Sequence, residues 1–192
     1  MLQISNTKVY GLDESMIASG YPMRVDLPLE MNLISDDDYK RMTKLGSMPS
    51  NSGHGNALTG IIVQFDVTYP AYWTPQFQRY HFIQIISSQS KMHRLVNFNY
   101  DTCFNKYVDT DIIKTFKGFV DEYKNNSSYA NYMQVLSNCP MGIEMTMRVS
   151  TNYMQLKNIY LQRHNHRLKE DWGEFCKWVL SLPNFSELCG IS

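Results

Sequence analysis

The sequence predicts an α+β fold, a small and mainly antiparallel sheet with helices packed on it. Three observations lead there. The segment Ile143–Ser150 alternates strictly between apolar and polar residues, which suits a half-buried strand. Apolar residues recur at helical spacing in three separate stretches of the second half. The chain has 192 residues, 43% of them apolar, enough for one domain, residues 1–192, to bury a core without metal or disulfide staples.

A short strand is expected at Lys8–Tyr10, then a weak helix over Asp13–Ala18. Residues 20–56 read as loop because of Pro22, Pro28, Pro49 and the run Ser50-Asn51-Ser52-Gly53-His54-Gly55-Asn56, with one Ser-capped helical segment at Ser35–Leu45. Gly60–Val67 is apolar and β-branched, a strand. Pro75 suits the first position of a helix, and Phe77, Tyr80, Ile83 and Ile86 at helical spacing extend that helix to about Gln89. Asp109 or Thr110 caps the next helix, whose stripe is Ile112, Ile113, Phe116, Phe119, Val120 and Tyr123. Tyr129–Leu136 is a shorter helix. In the strand that follows, Ile143, Met145, Met147 and Val149 face the core, while Glu144, Thr146, Arg148 and Ser150 form a polar face. Asn152 caps a helix with the stripe Leu156, Ile159, Tyr160, and Trp172, Phe175, Cys176 and Val179 mark a last helix over about Lys169–Leu182.

Charge narrows the function. The chain carries 18 basic and 18 acidic residues, too balanced for a generic duplex nucleic-acid binder. No apolar run reaches the ~18 residues needed to span a membrane, the start lacks a secretory signal pattern, and Cys103, Cys139, Cys176 and Cys189 are scattered. A cytoplasmic setting is expected. The balance hides an asymmetry. Between Met145 and Lys169 there are Arg148, Lys157, Arg163, Arg167, Lys169, His164 and His166, and no acid. Such a local basic surface suits a small anion such as a nucleotide phosphate. The abundance of Tyr (13) and Met (12) fits adaptable surfaces at an oligomer interface or a ligand cleft.

Two segments concentrate chemistry. In Ser150–Leu168 a polar strand face runs into an Asn-capped helix, whose terminus favours an anion, and three turns later Arg163 falls on nearly the same face as Asn152. Arg163 has no acid three or four residues away to pair with. Phe77–Leu95 interleaves Arg79, His81, Ser87, Ser88, Ser90, Lys91, His93 and Arg94 with apolar spacers, a mix that can grip a phosphate and stack on a ring. No metal is expected: His164-Asn165-His166 lacks a second ligand pair. Cys103 and Cys176 lack the basic context of a thiolate nucleophile, and GSMPSNSGHGN has neither Walker nor Rossmann spacing.

These two segments, in this order and separation, resemble the flavin-dependent thymidylate synthases over about residues 53–182. Asn152, Leu156 and Arg163 match that family's strand-to-helix pattern, and Gly53 and His54 match its Gly-His before a strand. The resemblance implies an α+β fold, a homotetramer with active sites between subunits, FAD, and a folate one-carbon donor for a methyl transfer to the uracil C5 of dUMP. It gives Asn152, His54, Arg79 and His81 contacts to flavin. It gives Arg163 the uracil ring, where a guanidinium stabilises charge developing during attack, a catalytic role. The phosphate would fall to Ser87, Ser90, Lys91 and Arg94.

The sequence departs from the family where it matters for redox chemistry. The Arg-His-Arg signature with its later Ser-x-Arg is absent. One register sets Arg79-Tyr80-His81 on it; another sets Arg94 on its first arginine. Thr59-Gly60 replaces a Glu-His pair, and Met154 stands where an arginine belongs. Two expectations follow: a divergent enzyme using FAD, or a non-catalytic protein on the same scaffold that sequesters a nucleotide, as a phage-encoded protein would.

Overall fold

The computed structural model describes residues 2–26 and 33–191; Pro28 of the expected loop lies outside them. Four antiparallel strands form one sheet in the order β1-β2-β4-β3: β1 (Gln3–Tyr10), β2 (Ile62–Pro70), β3 (Gln84–Ser88) and β4 (Glu144–Asn152). The α+β expectation therefore holds. Alternation on β2 and β4 buries Val63, Phe65, Val67, Met145, Met147 and Val149 on one face. The other face is polar, with Arg148 ion-paired to Asp66 at 3.1 Å and the Thr68 and Thr146 hydroxyls 2.8 Å apart. One solvated face is a normal state for an antiparallel sheet.

Helices cover the apolar face. Helices α1 (Leu12–Ala18) and α2 (Asp36–Gly46) lead into a run of 3-10 turns over His54–Gly60. Ser35 caps α2 in a reciprocal capping box with Asp38. Two short helices, α3 (Thr74–Phe77) and α4 (Lys91–Arg94), flank β3. Helices α5 (Thr110–Asn125), capped by Asp109, and α6 (Tyr129–Ser137) form a hairpin, with Phe116 and Val120 buried and Ile112 facing outward. Helix α7 (Tyr153–Arg163) grows from the end of β4, and α8 (Lys169–Leu180) and α9 (Phe185–Cys189) pack beside it. The core centres on aromatic rings: Trp73 stacks on Phe77 at 4.3 Å and meets Trp172 at 4.9 Å, and Phe65 lies 4.3 Å from Trp178. Each such side chain buried contributes about 1.5–3 kcal/mol.

Three expectations need correction. The helix from Pro75 stops at Phe77, and residues 84–88 are a strand. Ile83, Ile85 and Ile86 are β-branched, and the free edge of β4 offers backbone partners that a solvent-facing helix lacks. The first strand is longer than expected, and the second begins two residues later because Gly60 ends the 3-10 turns. The last long helix ends at Leu180; α9, too short for a periodic signal, follows Pro183 and an Asn184 with φ 53°.

Candidate functional site

The β4–α7 junction is built as the sequence implies. Asn152 has extended dihedrals, and its side-chain oxygen accepts the Gln155 N–H at 2.8 Å, which leaves its amide NH2 able to donate. Thr151 Oγ1 donates to the Phe82 carbonyl at 2.8 Å and anchors the segment before β3 against the junction. Asn152, Ser150, His81, Gln84 and Ile62 thereby line a cleft of about 320 Å³. Two residues assigned to flavin by resemblance, His81 and Asn152, meet here.

His54 lies elsewhere. It is exposed on the wall of a larger cleft of about 800 Å³ between α1, α2 and the 3-10 turns. The apolar residues Ala18, Tyr21, Pro22, Leu45 and Ala57 line this cleft, with Arg41 and Lys44 as cations. Arg41 is fixed in place: its guanidinium bonds Asp38 and Ser19 Oγ and lies against Gly20, where a Cβ would sit 2.5 Å from Nη2. Burial alone would raise the Asp38 carboxyl, but bonds from the Ser35 hydroxyl and N–H and from Arg41 hold it below its usual range. Sequence reasoning missed this cleft apart from His54, since Arg41 and Lys44 read only as the charged face of a short helix.

Arg163 occupies a third place, eleven residues and about 16 Å along α7 from Asn152. Its Nε donates to the Tyr80 hydroxyl at 2.7 Å, and its guanidinium carbon lies 4.7 Å from the Trp172 ring and 5.6 Å from the Tyr80 ring. Gln76 Oε1 accepts from Trp172 Nε1 at 3.0 Å and from Arg163 Nη1 at 3.5 Å. The cation is thus held by aromatic faces, and the nitrogen Nη2 has no hydrogen-bond partner among the described residues.

The phosphate candidates sit on the edge strand β3 and the short helix α4 that follows it. Ser87 pairs with Arg148, Ser90 caps α4 by accepting the His93 N–H, and Lys91 and Arg94 follow on that helix. Gln89 donates to the Thr146 carbonyl, so α4 lies about 20 Å along β4 from Asn152. Arg79 is exposed and lines neither cleft. Lys157, expected as a surface charge, is buried and donates to the carbonyls of Gly46 and Met48 at 2.6 and 2.8 Å. Burial pushes the Cys103 and Cys176 thiols up to about 11, so they stay protonated near neutrality. Among the described residues no group of three His, Cys, Asp or Glu is placed to hold a metal ion, and no helix is long and apolar enough to cross a membrane.

No protein-family model and no curated protein sequence matches the chain. Solved structures do. A flavin-dependent thymidylate synthase ThyX from Helicobacter pylori, complexed with FAD and dUMP, superposes with a TM-score of 0.75 over 97% of both chains at 13% identity. A second structure of that Helicobacter pylori protein with FAD and dUMP gives a TM-score of 0.75 at 14% identity, covering 98% of this chain and 97% of the other. At that identity the likeness shows a shared fold.

Proposed function

We propose that this chain is a nucleotide-binding protein on a thymidylate-synthase-like scaffold, with a pyrimidine nucleotide of the dUMP type as its ligand. The observation that supports this most is the β4–α7 junction, where a polar strand face, an Asn cap and His81 converge on one cleft. It lies within a fold shared over nearly the whole chain with proteins complexed with FAD and dUMP. The reading gives the ring-facing polar groups to Asn152 and His81, and the phosphate to Ser87, Ser90, Lys91 and Arg94. Arg163 supplies a cation held ready for the ligand. In the homo-oligomer that the resemblance implies, one site takes these groups from more than one copy.

The residues do not fit a flavin within one chain. His54 belongs to one cleft and His81 and Asn152 to another, while Arg79 lines neither. Met154, at the position the resemblance gives to an arginine, ends against Gly55, where a Cβ would meet its Cε at 3.0 Å. We derive no redox step through a flavin. The absence of the Arg-His-Arg string and the presence of Thr59-Gly60 and Met154 favour a second reading, nucleotide binding or sequestration without methyl transfer, because hydride chemistry resides in the cofactor while binding resides in the scaffold.

An absorption spectrum of the purified protein, with mass spectrometry of what denaturation releases and a thermal scan with added dUMP, tests both. The expected result is stabilisation by dUMP, about 2.7 kcal/mol at a hundredfold excess over Kd. Flavin bands would select the enzyme over the sequestering protein. No released nucleotide together with no stabilisation by dUMP contradicts the proposal.

A further inference from the structure

The basic stretch between Met145 and Lys169 is not one surface. Arg148 is paired with Asp66 on the sheet, and Lys157 is consumed by two buried carbonyls. What remains is concentrated at the turn between α7 and α8. Arg163, His164, Asn165, His166 and Lys169 line a pocket of about 280 Å³ there, and no carboxylate lines it.

The acids next in sequence are engaged elsewhere: Glu170 with Lys106 and Tyr107, and Asp171 with the Tyr72 hydroxyl at 2.8 Å. The basic groups are also oriented. Trp172, fully buried, carries the Arg163 guanidinium against its ring, and its centroid lies 6.1 Å from that of His166. His166 Nδ1 accepts the Leu168 N–H at 3.1 Å, so the proton of its neutral form is on Nε2. His164 stacks on Tyr160 with its Nδ1 3.0 Å from the Tyr160 carbonyl.

We infer that the α7–α8 turn is an oxyanion site that takes a phosphate group, with Arg163 and His166 as its contacts and Lys169 and His164 as flanking charge. Cations fixed on an aromatic platform and left without a counter-charge are a receptor for a multiply charged oxyanion. The site stands on the geometry of this turn and does not require the nucleotide reading. Burial, with Arg163 and Arg167 nearby, holds the His166 pKa below its ordinary value, and a bound dianion reverses that charge balance.

The test is a titration with inorganic pyrophosphate at fixed ionic strength, read on the imidazole C–H resonances of the five histidines. The His164 and His166 resonances should move saturably, His54, His81 and His93 should not, and the His166 titration midpoint should rise. Arg163→Gln should weaken binding about tenfold. Lys169→Gln, at an exposed position that leaves the packing intact, should weaken it about threefold.

Two further arms separate the sources of the phosphate. If dUMP produces the same shifts more tightly than pyrophosphate, the group belongs to a nucleotide; if pyrophosphate alone does, to a free anion. Shifts matched by sodium chloride, shifts produced by uridine, or wild-type affinity in both variants would overturn the site.

Discussion

Asn152 does two jobs with one side chain. Its oxygen satisfies the Gln155 N–H at the start of α7, and the residue lines the cleft with His81 and Gln84. Asn152→Ala should therefore lower stability by about 1 kcal/mol, measured by denaturant unfolding, and weaken any ligand of the cleft as well. Unchanged stability would mean the cap contributes nothing to the helix. Arg163 and Lys157 show what a sequence discloses about a charge. That Arg163 lacks a local acid is visible in the chain, but its aromatic box is not, because Tyr80 and Trp172 arrive from separate segments. Lys157 reads as solvated for the same reason: its acceptors lie 111 and 109 residues away.

At the level of elements, periodicity reported faithfully wherever an element packs one face. The alternation of β4, the Phe116 and Val120 part of the α5 stripe and the Asn-capped start of α7 all appear where the pattern places them, whereas Ile112, expected on that stripe, faces outward. It failed at residues 78–88, a turn leading into the edge strand β3, where most residues are exposed, so that neither period is imposed by a core. Helix α2 supplies a test at this scale. Its capping box depends on an ionised Asp38, whose folded-state pKa lies below the ordinary 3.8. The carboxylate's contribution is present above that ordinary value and fades as pH falls through the folded one. The stability difference between the wild type and Asp38→Asn should thus be larger at about pH 7 than at about pH 3. An equal difference at both would show that the charge of Asp38 does no work.

At the scale of the whole molecule, the candidate residues are spread over separate places: the α1–α2 cleft with His54, the β4–α7 cleft with His81 and Asn152, the α7–α8 turn with Arg163, and α4 after β3. The fold was legible in the sequence because burial patterns are local. The partition of the site was not, since distances between elements depend on packing that no spacing encodes. If the nucleotide bridges copies of the chain, binding should depend on assembly. Binding of dUMP through Arg163 is tested by a calorimetric titration of the native protein with dUMP, repeated on Arg163→Ala. Saturable heat is expected in the wild type and its loss in the variant, whose unfolding transition stays cooperative. Heat no larger than dilution in the wild type, or an unchanged Kd in the variant, would contradict that binding.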